Sequence, residues 1–202
     1  MKKSIFISGL LFIALFLIIL FSSVFPLIFN KSFYTKECNK LGTNCEKTIH
    51  VLDYLKNKST LSKEFNEREK IHMKDVKNLI YTLLIFYIIT TVVVAAMIIV
   101  TYIYNKKNFL NFLRIYFLYG GIFSLLLLLT PLMLIYLNFD FVFSVFHRLF
   151  FRPGTFLFNE NDLLIRLFPE QFFVDAGLNI FFNAIIISIA IIVIGVSTKK
   201  FK

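Results

Sequence analysis

Four long apolar runs, separated by charged or mixed segments, dominate the pattern of hydrophobic and polar positions along the chain. They cover roughly Ile5–Phe29, Leu79–Tyr104, Phe112–Leu137 and Leu178–Val196, and apart from Arg114 they contain no Asp, Glu, Lys or Arg. Each is long enough to cross a hydrocarbon core as a helix, which takes about 20 residues. A signal peptide is the other reading of the first run, which follows the basic start Met1-Lys2-Lys3. The run is longer than the about 7–15 residues of a signal core, however, and no small-x-small cleavage site follows it. The pattern predicts an all-α membrane protein with four transmembrane helices, a single integral membrane domain over 1–202, with spans at about 5–29, 79–104, 112–137 and 178–196. The 1-2 and 3-4 loops, about 30–78 and 138–177, are predicted to build a small extracytoplasmic domain.

In the first of these loops, residues 30–47 read as turns or short extended pieces, and helical spacing sets in at Ile49 with Val51, Leu52 and Leu55. Asn57-Lys58-Ser59 ends that helix. Ser62 is a candidate N-cap for the next one, with Glu64 in its first turn. With no Gly or Pro between Leu61 and Leu79, that helix runs on into the second span. Along it Phe65, Glu69, His72, Val76 and Leu79 fall on one stripe, and Asp75 flanks it. The second loop is strongly apolar from Phe139 to Phe151, turns at Arg152-Pro153-Gly154-Thr155, and continues as an amphipathic segment, Leu163–Phe168, broken by Pro169. A loop of this kind packs on protein or lies in the lipid interface.

Composition agrees with a membrane protein, at 58% hydrophobic residues and a mean hydropathy of +0.77. The net charge of +10 raises a nucleic-acid partner, and its distribution argues against one. The N-terminus (Lys2, Lys3), the middle turn (Lys106, Lys107, with Arg114) and the C-terminus (Lys199, Lys200, Lys202) carry eight basic residues and no acidic ones. The two long loops carry the other fourteen basic residues and all twelve acidic ones. Basic ends and turns belong in the cytoplasm, which places both termini inside the cell membrane and both loops outside. Basic clusters flanking spans suit anionic headgroups, so membrane lipid rather than nucleic acid is the expected contact. Cys38 and Cys45 lie in the first loop with six residues between them. Outside the cell they form either a disulfide or two free thiols, and their spacing is not a CxxC pair.

The chain has three histidines, and two of them, His72 and His147, lie in the long loops close to spans. With Glu69 and Asp75 at helical spacing, His72 has the ingredients of an oriented imidazole; the plainer reading is a solvated, charged helix end. His147 stands among Phe146, Phe150 and Phe151, with Asp140 seven residues earlier on the same helical face. A titratable group among aromatics near a bilayer is costly unless paired or used, the alternative being an aromatic-belt histidine. His50 reads as a surface residue. No His-Glu-x-x-His, third nearby histidine or suitably spaced cysteine pair points to a metal. With no Gly-rich phosphate loop or serine elbow either, no cofactor is expected.

The segments Glu69-Lys-Ile-His72-Met-Lys-Asp75-Val76-Lys77, Phe139-Asp140 with Phe146-His147 and Phe150-Phe151, and Leu164-Ile165-Arg166-Leu167-Phe168-Pro169 through Phe172-Phe173-Val174-Asp175 are distinctive in combination. With Val51-Leu52-Asp53-Tyr54-Leu55 upstream, they resemble the lipoprotein intramolecular transacylase (Lit) family of integral membrane proteins, from about residue 50 to 180. The resemblance implies an acyltransferase acting on diacylglyceryl-modified bacterial lipoproteins at the extracytoplasmic face. It would move the sn-2 acyl chain of the N-terminal diacylglyceryl-Cys onto that residue's own α-amino group, giving an N-acyl lyso-form lipoprotein. The family's catalytic histidines fall on His72 and His147. His147 is then the favoured base, with Glu69, Asp75 and Asp140 in support and Phe146, Phe150, Phe151, Phe156 and Pro169 as lipid or substrate contacts. The chain has no Trp where the family pattern leads one to expect it, and Phe156 stands in that place. Two other readings stay open: an acyl-ester hydrolase using the same histidines, and a non-enzymatic scaffold or transporter subunit. A transporter should show charged or broken spans at the midplane, whereas these lack acidic residues and are interrupted at Gly120-Gly121 and Thr130-Pro131.

Overall fold

The computed structural model describes residues 2–198, with side chains from Gly9 onward; Lys199, Lys200, Lys202 and the side chains of Lys2 and Lys3 lie outside the described residues. Within them the chain is all-helical: α1 (Lys2–Ile28), α2 (Lys31–Leu41), α3 (Cys45–Leu55), α4 (Glu67–Tyr104), α5 (Phe109–Leu137), α6 (Phe139–Phe150), α7 (Leu163–Leu167) and α8 (Glu170–Ser197). Four helical stretches are long and apolar enough to cross a membrane, Gly9–Ile28, Glu67–Tyr104, Lys106–Leu137 and Glu170–Ser197, and the protein is multi-pass. At 1.5 Å per residue the 38 residues of α4 make a rod of about 57 Å, far longer than a hydrocarbon core. Its apolar part from Leu79 onward is by itself long enough to cross one. Residues 67–78 hold seven charged side chains and lie beyond it.

The chain divides into two compact units. One comprises the chain up to Val24, Leu84–Met133 and the chain from Ile180. Its core is Leu15, Ile19, Val94, Tyr116, Leu128 and Ala184. Without a hydrophobic force between lipid-embedded helices, close van der Waals approach has to hold them, and small residues permit it. Gly195 on α8 meets the α5 backbone so closely that a Cβ there would stand 2.6 Å from the Leu118 nitrogen. A Cβ on Gly121 would meet the Ile192 side chain at 2.7 Å. The buried hydroxyls of Ser124 and Ser188 donate to the carbonyls one turn back, Gly120 and Ala184, so neither is left unsatisfied.

The other unit is built from Phe25–Leu83 and Leu134–Asn179. Residues 30–47, expected as turns or extended pieces, form α2 and the start of α3 instead. No long apolar stripe announces α2; its ends and a covalent tie define it. Asn30 caps its start by accepting from the Phe33 amide, and Gly42 closes it in the left-handed region at φ 66°. Asn44 caps α3 through the Lys47 amide. Cys38 and Cys45 are joined in a disulfide that pins the two helices together, with their Cα atoms 5.2 Å apart. By the chain-entropy account, closing so short a loop stabilises the fold by about 2–3 kcal/mol. Cys45→Ser is therefore expected to lower the unfolding midpoint in detergent, and an unchanged midpoint would show that the bond contributes nothing.

Asn57 ends the hairpin at φ 60°, and its side-chain amide donates to the Tyr81 hydroxyl, which in turn donates to the Leu55 carbonyl. The N-cap of α4 is Asn66 rather than Ser62. Ser62 instead makes a local turn, accepting from the Glu64 amide. Asn66 wins because Glu69, three residues on, completes a capping box with it, as described below. In the second segment Asn138 caps α6, Gly154 turns the chain at φ 84°, and the short α7 precedes α8. Tyr34 packs on Phe168 and Phe172, at ring separations of 6.3 and 5.4 Å, which ties α2 to the α7–α8 corner.

Candidate active site

His72 sits in the second turn of α4 and His147 in the last turn of α6, and the fold brings them together. Their ring centroids are 5.9 Å apart and the rings are near parallel, at 19°. Both are buried, with 5% and 8% of their surface exposed. Phe151 touches both imidazoles, at 4.8 Å from His72 and 5.4 Å from His147. Phe158 stands edge-on to His72 at 5.2 Å. Phe143, Phe156 and Phe146 surround His147 at 4.0, 5.3 and 5.5 Å. The two basic rings thus lie inside an aromatic box, where little water solvates a charge.

Two consequences follow for protonation. Burial first, and the neighbouring His147 second, pull His72 down to about 4, with Asp75 opposing weakly. Burial lowers His147 too, against a hydrogen bond to the Phe143 carbonyl that favours its charged form. Both rings are neutral at neutral pH, and a proton placed on one discourages a proton on the other. The second consequence concerns tautomers. His147 Nδ1 lies 2.8 Å from the Phe143 carbonyl oxygen, which can only accept, so Nδ1 carries the hydrogen and Nε2 keeps its lone pair. The Nδ1 of His72 is buried with no hydrogen-bond partner among the described residues.

The predicted supporting residues distribute unevenly. Glu69 is almost fully buried, at 1% exposed, and both its oxygens are taken by backbone amides, Asn66 N and Leu164 N, each at 2.7 Å. Asp75 is half-buried a turn beyond His72 and acts on it through space. Asp140 is exposed in the first turn of α6, where its charge suits the helix N-terminus. Phe146, Phe151 and Phe156 belong to the box, whereas Phe150 packs on Phe146 and is largely exposed. Pro169 accepts from the Phe172 amide at the start of α8. His50 is half-buried on α3.

Phe143 and Phe158 are the members that sequence reading missed. Phe143 had a signal, since it stands one helical turn before His147. Phe158 had none, because only the folded loop brings it to His72. No group of three or more His, Cys, Asp or Glu able to hold a metal gathers among the described residues.

The chain's fold is similar to that of the membrane integral lipoprotein intramolecular transacylase Lit from Bacillus cereus. That likeness has a TM-score of 0.78 at 18% identity and covers 98% of this chain and 96% of that one. A variant of the same protein with a histidine-to-alanine mutation matches with a TM-score of 0.73 at 19% identity, over 96% and 92% of the two chains. At such identities these likenesses speak for the fold. An uncharacterized protein of Aquifex aeolicus (strain VF5) is 29% identical over 137 residues, which span 68% of this chain and 59% of that relative's length. The model of the family described as lipoprotein intramolecular transacylase Lit matches residues 9–173, most of the chain, and the protein belongs to that family.

Proposed function

We propose that the protein moves the sn-2 acyl chain of a diacylglyceryl-Cys lipoprotein N-terminus onto the α-amino group of the same cysteine, with His147 as general base and His72 as its partner. The observation that carries this reading is the buried pair of imidazoles 5.9 Å apart. The α-amino group of the substrate has an ordinary pKa near 8, so a neutral imidazole can relieve it of a proton at modest cost. His147 offers Nε2 for this purpose. The freed amine attacks the sn-2 ester carbonyl of its own molecule, which makes proximity a property of the substrate. A C–N bond forms, and the intermediate collapses with cleavage of the acyl C–O bond. His147 gives up that first proton to water, takes a second from the nitrogen as the C–N bond forms, and passes this one to the departing glyceryl oxygen. His72, kept neutral, donates an N–H to the oxyanion in between. The ester supplies the driving force for the amide, so the step consumes no other reactant.

Two further features support a lipid substrate handled outside the cell. Phe141, Val145, Phe146, Leu149 and Phe150 leave one face of α6 apolar and exposed, as on a helix lying in the lipid interface. The disulfide between α2 and α3 belongs to an oxidising compartment, in agreement with an extracytoplasmic placement of both long loops and cytoplasmic termini. Expression in cells that lack their own lipoprotein N-acylation, followed by mass spectrometry of lipopeptides, tests the reading. N-acylated lyso-form peptides are expected. Unchanged diacylglyceryl peptides would refute it, and loss of a chain without N-acylation would identify a hydrolase.

A further inference from the structure

Glu69 stands three residues from His72 yet spends its carboxylate elsewhere. One oxygen accepts from the Asn66 amide while the Asn66 side-chain oxygen accepts from the Glu69 amide at 3.0 Å, a capping box at the start of α4. Capping α4 requires nothing more. The other oxygen nevertheless accepts, in a buried bond, from the amide of Leu164, 95 residues away and in the first turn of α7. That amide is one of the unsatisfied donors at a helix start, and Asp162, the N-cap residue of α7, makes no side-chain cap bond to its own helix. The Asp162 carboxylate accepts instead from the Asn66 side-chain amide at 3.0 Å and from the Asn159 amide at 2.8 Å. Glu69 thus caps both helix starts, and Asp162 ties the Asn66 side chain to the loop before α7. Phe158, the ring against His72, immediately precedes the tethered Asn159, and Phe156, against His147, lies two residues before that.

We propose that Glu69 is a positioning residue, which by capping α4 and α7 together holds the 151–162 strap and its phenylalanines against both histidines and keeps the pair dry. This role rests on the transacylase reading for its catalytic consequence, though not for its structural one. The charged and titratable groups around His72 are His147 on α6, Asp75 on its own helix, and Arg68, whose guanidinium lies 6.0 Å from the Phe158 ring. None of them changes when Glu69 does. A glutamine at 69 has one accepting oxygen for two amides and turns an N–H toward the second. Glu69→Gln therefore loosens the strap and admits water, which raises the His72 midpoint, whereas the carboxylate charge it removes one turn from His72 can only lower that midpoint. Asn66→Ser is the milder variant, because the hydroxyl still caps α4 but no longer donates to Asp162.

The test is an NMR titration of the histidine imidazoles in the full-length protein in detergent, which needs no substrate. In Glu69→Gln the His72 midpoint is expected to rise by about one pH unit as desolvation relaxes, and in Asn66→Ser to rise by less. Where N-acylation is measured, the acid limb of its pH profile should move the same way, so that Glu69→Gln loses about tenfold more activity at the acid end than at pH 8. An unmoved midpoint in both folded variants would overturn the role. So would activity lowered equally at every pH. A wild-type protein that yields no N-acylated product would overturn the transacylase reading alone, since the titration stands without it.

Discussion

His147→Phe is expected to abolish acyl transfer while leaving the protein folded. The substituted ring fits a position already walled by Phe143, Phe146, Phe151 and Phe156, so the box loses little packing. What disappears is Nε2, the lone pair that the Nδ1 bond to the Phe143 carbonyl leaves free. A positioned general base is worth about 10²–10⁴-fold, and the N-acylation rate should fall within or beyond that range. His147→Ala should fall as far in rate and also lose stability, because it opens a cavity in the box. Comparing the two variants by unfolding midpoint and by initial rate separates chemistry from packing. Substantial transfer by folded His147→Phe would remove His147 from the role of base.

Acidification should weaken the fold before it protonates the site. In an unfolded chain His72 titrates near 6.5, whereas in the folded protein it is held at about 4. Between these values the unfolded chain binds the proton and the folded chain does not. Stability therefore falls as pH drops through that window, and His72 contributes no pH dependence above it. The loss attributable to this residue is about 3 kcal/mol across the window, and His147 adds to it in the same direction. Buried Glu37, whose carboxyl is raised by burial and by hydrogen bonding to Asp175, works the opposite way toward lower pH. The contribution of His72 is isolated by comparison with His72→Phe, which keeps a ring and cannot titrate. Chemical unfolding at pH 7.5 and pH 4.5 should show a much smaller acid loss in His72→Phe than in wild type. Equal losses would mean that His72 titrates normally in the folded protein.

The spans were legible because twenty or more apolar residues without charges have one common fate, whereas each histidine alone had a bland reading, a charged helix end or an aromatic-belt residue, and that the two rings meet is visible only in the fold. The run of helix from the charged turns of α4 into the membrane also followed from an absence of breakers. Less visible was anything decided by ends and long-range partners. The helix α2 buries only Tyr34, Glu37 and Cys38 and owes its limits to Asn30, Gly42 and the disulfide. The sequence reading put the cap at Ser62, and the structure puts it at Asn66, a choice that turns on Glu69. The orienting acceptor for His147 proved to be a backbone carbonyl at Phe143, a group that every residue owns and no motif marks. Phe158 and the Glu69–Leu164 bond depend on a pairing across 95 positions, beyond the reach of any local pattern.

The most direct measurement uses the purified protein in lipid vesicles with a synthetic diacylglyceryl-Cys peptide whose sn-1 and sn-2 chains differ in mass. Transfer within one molecule is an isomerisation, so the total mass should not change. Tandem mass spectrometry should find the sn-2 chain on the N-terminal amine and the sn-1 chain still on glycerol. A free amine after incubation, a product lighter by one acyl chain, or the sn-1 chain on nitrogen would each contradict sn-2 transfer to the substrate's own amine.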